Sequence, residues 1–175
     1  MTPNGHAGAS IVAAYVIERC VFNNQATPLT LGLSALVGLL PDFDSLAALA
    51  LNRYRPLRNK LEHHAFPSHT PLFYLILTVA LWLTGMSREA VFLGVLSLGH
   101  LILDSWGTDD GIMWLWPLSR RQFSLFPRNL HAGGVHGLRF YRRHVRCARV
   151  FVPEVALLAS GSLIALHTLY WGVRL

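Results

Sequence analysis

Charge is scarce in this chain. Charged residues make up 14% of its 175 residues and hydrophobic ones 53%, whereas a soluble domain carries about 25% charged residues. Mean hydropathy is +0.39. The deficit argues against an ordinary water-facing domain and for a membrane protein. Cysteine is scarcer still. Cys20 and Cys147 stand far apart with no CxxC pairing, which excludes a disulfide framework and a zinc knuckle and makes a reducing compartment the default. The start, MTPNGHAGAS, lacks a basic n-region, so insertion is expected to rely on uncleaved internal helices. No internal repeat, glycine-rich phosphate loop, heptad run or low-complexity tract is present. One domain spanning 1–175 is the most economical reading.

What is present is apolar and helical. The expected fold class is all-α, an integral membrane bundle of about five helices: Ala7–Phe22, Pro28–Asn52, Pro71–Thr84, Glu89–Trp106 and Val150–Val173. The second is interrupted at Pro41-Asp42-Phe43-Asp44. The third and fourth are joined by Gly85-Met86-Ser87-Arg88, a helical hairpin turn. The fifth is long enough for a bilayer, which needs roughly 20 apolar residues, and Tyr170 and Trp171 near its end suit an interfacial anchor.

Two basic stretches lie between these segments, Asn52–Lys60 and a loop of about 107–149 that holds Arg120, Arg121, Arg128, Arg139, Arg142, Arg143, Arg146 and Arg149. A membrane hairpin of the third and fourth helices puts both on one side, and the positive-inside rule makes that side cytoplasmic. With tryptophans and a membrane helix as neighbours, the arginine loop reads as a face beside anionic lipid, not a nucleic-acid surface.

The residues able to carry chemistry are polar groups where polarity is costly. His100 and Asp104, at i and i+4, share one face of the fourth helix. Ionisable residues inside apolar helices call for a named partner. His64 and His69 precede the third helix, so an antiparallel hairpin brings them to the end that holds His100 and Asp104. Imidazole and carboxylate together suit zinc, iron or manganese. Asp42 and Asp44 sit in an apolar run. One of them could cap a helix starting at Ser45, and the other would still want a cation. His6, at the start of the first segment, is carried toward the same cluster. The remaining histidines are less central: His63 either supports a ligand from behind or flanks the site, His131, His136 and His144 face solvent or head groups, and His167 lies in the protein interior. Glu154 is open between a site role and an ion pair with an arginine.

In order, His6, Pro41-Asp42-Phe43-Asp44, His64 and His69, His100 and Asp104, the stretch Gly111–Ser119 and Arg121-Gln122-Phe123-Ser124-Leu125 resemble the YdjM-like membrane-bound metal-dependent hydrolases. These are bacterial inner-membrane proteins distantly similar to zinc-dependent phospholipase C. By that resemblance His6 is the N-terminal histidine, Asp42 and Asp44 are the carboxylates of Pro-Asp-x-Asp, and His100 and Asp104 form the His-x-x-x-Asp helix. His64 and His69 match the pair usually written His-Arg-Gly-x-Thr-His. The chain departs there, with Ala65 and Phe66 for Arg-Gly and Ser68 for Thr, so another residue must hold an anion, with Arg120 and Arg121 as candidates.

The resulting expectation is a multi-pass bacterial inner-membrane hydrolase. His6, Asp42, His64, His69, His100 and Asp104 would hold one to three divalent ions, zinc above all. Asp42 and Asp44 would act catalytically, bridging ions or orienting a nucleophilic water. The substrate would be a lipid or lipid-linked phosphoester at the cytoplasmic face, drawn by its anionic head group, with Trp106, Trp114 and Trp116 seating the protein at the interface. Membrane lipid is the expected partner and nucleic acid is not. The alternative is a non-enzymatic metal-binding or metal-transport protein. A haem site comes third, because the aspartates do not suit it.

Overall fold

The computed structural model describes residues 1–45, 64, 66–107, 111–125, 142 and 144–172. Its elements are α1 (Pro3–Val16), continued by a π-turn (Ile17–Val21); α2 (Pro28–Gly38), followed by a 3₁₀ turn (Leu40–Phe43); a second 3₁₀ turn (Pro67–His69); α3 (Pro71–Leu83); α4 (Ser87–Gly107); and α5 (Ala148–Gly172). Among the described residues no strand forms. The all-helical expectation holds, and the second segment does break at the Pro-Asp-x-Asp motif. The expected total of about five helices extends over residues outside those described. So do the Asn52–Lys60 stretch, His63, Asp109, Asp110, Arg128, His131, His136, Arg139 and Arg143.

A repeated dipeptide starts three of the helices. Thr2-Pro3, Thr27-Pro28 and Thr70-Pro71 each place threonine at the N-cap and proline in the first turn, where the missing proline N–H costs nothing. At Thr27 the hydroxyl does the usual work, accepting from Thr30 N at 3.1 Å. At Thr2 and Thr70 it is used elsewhere, as described below. Helix α3 ends in a tight turn at Gly85, whose φ of +84° is a conformation only glycine adopts freely, and α4 leaves antiparallel to α3.

Helix α1 packs against α5 and α2, α3 against α4, and both α1 and α2 also meet α4. The chain alternates direction through this bundle. The starts of α1, α3 and α5 and the ends of α2 and α4 therefore gather at one end. Helices α4 and α5, at about 31 and 37 Å, are long and apolar enough to cross a membrane over Ser87–Trp106 and Ala148–Trp171. Helices α2 and α3 are apolar but shorter, about 16 and 20 Å.

Burial is inverted relative to a soluble domain. The buried set holds more polar than apolar residues, among them His6, Ser10, Glu18, Ser34, His69 and Ser97. Large side chains such as Leu75, Ile76, Trp82, Leu163, Leu166 and Trp171 face outward. An apolar exterior on that scale is what lipid contact selects. His167 is one of the outward residues, a correction to its assignment to the interior: it lies on the exposed face of α5, beside the ring of Trp171.

Candidate metal centre

Six of the expected ligands meet at the end where helix starts and ends gather. Asp104, in the last turn of α4, is their hub. Its Oδ1 lies 3.0 Å from His6 Nε2, and its Oδ2 lies 3.1 Å from both His69 Nε2 and His100 Nε2 and 3.4 Å from His64 Nε2. The α-amino group of Met1 also reaches Oδ1, at 2.7 Å. Asp42 joins through Oδ1, 3.6 Å from His100 Nε2. The rings pack on one another, His6 flat against His100 at 3.7 Å and His64 tilted against His69 at 4.6 Å.

Local structure explains how so many polar groups converge. His6 is carried inward because α1 begins at Pro3, earlier than the expected Ala7, so His6 occupies its first helical turn. Thr2, just before that turn, donates its hydroxyl to Glu154 on α5, which fixes the start of α1. His69 is placed by the Pro67–His69 turn, in which the Thr70 hydroxyl donates to Pro67 O at 2.6 Å. Gly38 ends α2 so close to α1 that a side chain there would strike Ser10, and its free carbonyl is thereby aimed at His100.

The hydrogen bonds on the far sides of the rings fix what the near sides present. A carbonyl can only accept, so His100 Nδ1 donates to Gly38 O, at 2.7 Å. In the neutral ring Nε2 is then a bare lone pair, and it faces the carboxylates of Asp104 and Asp42. Likewise His69 Nδ1 donates to Pro41 O and Asp44 Oδ2, both at 3.1 Å, which turns its Nε2 lone pair toward Asp104. Ser68 Oγ donates to the same Asp44 oxygen at 3.2 Å. Orientation of imidazoles by carbonyl and carboxylate partners is characteristic of metal sites. Burial alone would lower the pKa of His69, but the hydrogen bonds with Asp104 and Asp44 outweigh it and raise it above the ordinary histidine value.

The donor set fits a divalent ion. Lone pairs pointed at carboxylate oxygens repel unless a proton or a cation lies between them. His100 Nε2 and Asp42 Oδ2 are buried without a hydrogen-bond partner among the described residues, although such atoms are rarely left so. The nitrogen–oxygen separations of 3.0–3.6 Å are also close to the edge of a ligand tetrahedron around zinc, about 3.3–3.6 Å for bonds of 2.0–2.2 Å. Two groups have this character, His6, Asp42, His100 and Asp104, and His64, His69 and Asp104. They share Asp104.

Asp44 stands apart from both groups, behind His69. Asp42 is the most accessible member, with a fifth of its side chain exposed, against 0–3% for the histidines and Asp104. Glu154 is not in the cluster, and among the described residues it pairs with no arginine. It accepts from His144 Nε2 at 2.5 Å as well as from Thr2. This also corrects the placement of His144, which is buried against α5 and not turned to solvent. Sequence reading missed the pair because the two residues stand ten apart on a segment with no helical periodicity to relate them.

No curated protein and no solved structure matches the chain. A family model does match, described as YdjM inner membrane protein and covering residues 1–172. With that match over nearly its whole length, and with a polar His/Asp interior wrapped in an apolar exterior, the chain belongs to the YdjM family of inner membrane proteins.

Proposed function

We propose that the protein is a metal-dependent hydrolase that cleaves a phosphoester of a lipid or lipid-linked substrate at the cytoplasmic face of the membrane. The observation that carries the reading is the pair of donor groups joined by Asp104. A carboxylate shared between two sites is the arrangement by which paired ions flank a reacting phosphate. His6, Asp42, His100 and Asp104 would hold one ion, and His64, His69 and Asp104 the other, with zinc as the best match to the donors. When bound, such ions supply Lewis acidity toward water and toward phosphoryl oxygen.

The chain's own groups divide the remaining work. Asp42, whose second oxygen has no hydrogen-bond partner among the described residues, would accept the proton that a nucleophilic water gives up. Asp44 holds His69 in its ligand tautomer. Exposed Arg120 and Arg121 lie on the segment that follows α4 and draw an anionic head group toward the cluster. Multi-pass insertion with this end inside is supported by Arg120 and Arg121 and by the exposed arginines at 142, 146 and 149 ahead of and at the start of α5.

The test is metal analysis of the detergent-purified protein, with phosphodiester and phospholipid cleavage assayed with and without a chelator. Chelator-sensitive cleavage is expected. Stoichiometric metal without cleavage of any phosphoester class would leave metal binding or transport as the function. A transport route would need ligands along the bundle, whereas these gather at one end.

A further inference from the structure

The segment after α4 builds a second feature. Ile112 and Phe123 exchange backbone hydrogen bonds of 3.0 and 2.9 Å, and Gly111, at φ +72°, passes so close to the Phe123 carbonyl that no side chain would fit. Ile112 is buried against Tyr74 of α3 and Leu101 of α4. Two bonds root the loop beside the metal centre: Trp114 Nε1 donates to Ser105 Oγ at 2.7 Å and Leu125 N to Ser105 O at 2.6 Å. Ser105 follows Asp104 directly.

The outer side of this anchored loop is not what water would select. Leu118 is 92% exposed and Leu115 65%. Between the loop's two limbs runs a cleft of about 530 Å³ lined by Trp114, Leu115, Ser119, Arg121 and Phe123. Among the described residues its lining is apolar and aromatic apart from Ser119 and Arg121. Among the described residues no carboxylate pairs with Arg121 or with the adjacent, exposed Arg120.

We propose that this cleft is a binding site for the head group of an anionic phospholipid drawn from the surrounding bilayer. The Arg121 guanidinium donates to the phosphate, whose oxygens match its planar fork. Ser119 Oγ, which already accepts from Arg121 N at 3.1 Å, turns its own proton to the same anion. Trp114, Leu115 and Phe123 cover the glycerol and the first acyl carbons, and Leu118 enters the lipid. A soluble anion would use the arginine and leave the apolar lining unexplained, while an uncharged lipid would leave the arginine unexplained. An anionic amphiphile uses both, and the bilayer that this membrane protein occupies supplies one. The site rests on the reading above in that Arg121 is the residue that draws the head group, but binding is read with cleavage blocked, so its failure and that of the hydrolase reading are distinguishable.

Native mass spectrometry of the full-length protein tests this, released from detergent micelles doped with equimolar phosphatidylglycerol and phosphatidylcholine and with a chelator present to prevent cleavage. Both lipids carry a phosphate, but only phosphatidylglycerol is net negative, and one arginine favours that net charge about fivefold, so the first bound lipid should be phosphatidylglycerol by about that ratio. Arg121→Gln should bring the ratio close to one, with an unchanged thermal melt because Arg121 is exposed. Arg146→Gln, which removes an exposed arginine outside the cleft, should keep the preference. Equal binding of the two lipids, a preference that survives Arg121→Gln, or one that Arg146→Gln lowers as far as Arg121→Gln does would overturn the assignment.

Discussion

The two ends of the bundle bury polar groups by opposite means. At the end away from the metal centre, Glu18, fully buried, pairs with Arg88 across α1 and α4. The guanidinium lies over the rings of Phe22 and Phe92, 4.8 and 5.8 Å from their centroids. Acid meets base there, the cation meets aromatic faces, and nearby Thr27 caps its helix. At the other end four imidazoles and the Met1 amino group surround one carboxylate, with Asp42 beside His100 and Asp44 behind His69. Thr2 and Thr70 spend their hydroxyls on Glu154 and Pro67 instead of on their own helices. Buried polarity alone therefore does not mark a site. A buried set whose charges complement one another holds a fold together, whereas one in which several imidazole lone pairs face carboxylate oxygens calls for a cation beyond the single Met1 amino group.

Five experiments sharpen that contrast. The largest effect is expected from Asp104→Ala, which removes the carboxylate common to both donor groups. Bound metal, measured by elemental analysis of the purified variant, should fall to background for both ions. His64→Ala should be partial, losing the ion of the His64, His69 and Asp104 group and keeping the other. Equal loss of both would show that the two groups act as one. Asp44→Ala leaves every proposed ligand in place but frees the His69 ring, so metal affinity, read by competition with a chromogenic chelator, should weaken by about 10- to 100-fold. The same titration run toward acid pH should show affinity falling. The raised pKa of His69 means that a proton must leave the ring before an ion can bind, so the loss begins at a higher pH than an ordinary histidine would give.

The smallest effect on metal is expected from Glu18→Gln at the opposite end. It should cost about 1–3 kcal/mol of stability, as an unfolding shift in detergent, by leaving Arg88 without its counter-charge. Metal content should not change. A drop in metal there would mean that the two ends are coupled and that the division drawn above is too sharp.

Much of the site was legible in the sequence because its signals are local or conspicuous. His100 and Asp104 show the helical spacing that puts them on one face, and an aspartate pair after a proline stands out in an apolar run. The hairpin made the meeting of His69 with Asp104 foreseeable from helix direction alone. Other features were not legible, for physical reasons. The carbonyls of Gly38 and Pro41, which set two imidazole tautomers, belong to backbone that any sequence carries, and only the path of the chain aims them. The central position of Asp104 depends on how α1 and α4 cross. The π-turn at Ile17–Val21 leaves no periodic trace, and the burial of His144 follows from a tertiary contact with Glu154.

The span of sequence drawn together at Asp104 has a consequence for assembly. His6 and Asp104 are separated by 98 positions, and the proposed ligands at 42, 64, 69 and 100 lie between them. An ion held by this set would act as a cross-link in a chain whose described cysteines are both free. A single covalent link closing a loop of that length would be worth about 4.7 kcal/mol in chain entropy. The ligand set is also incomplete until residue 104 has been made, whereas α5 contributes none of the proposed ligands. Yet because the Thr2 bond to Glu154 on α5 fixes the start of α1 and with it His6, the set reaches its final geometry only once the fifth helix has docked.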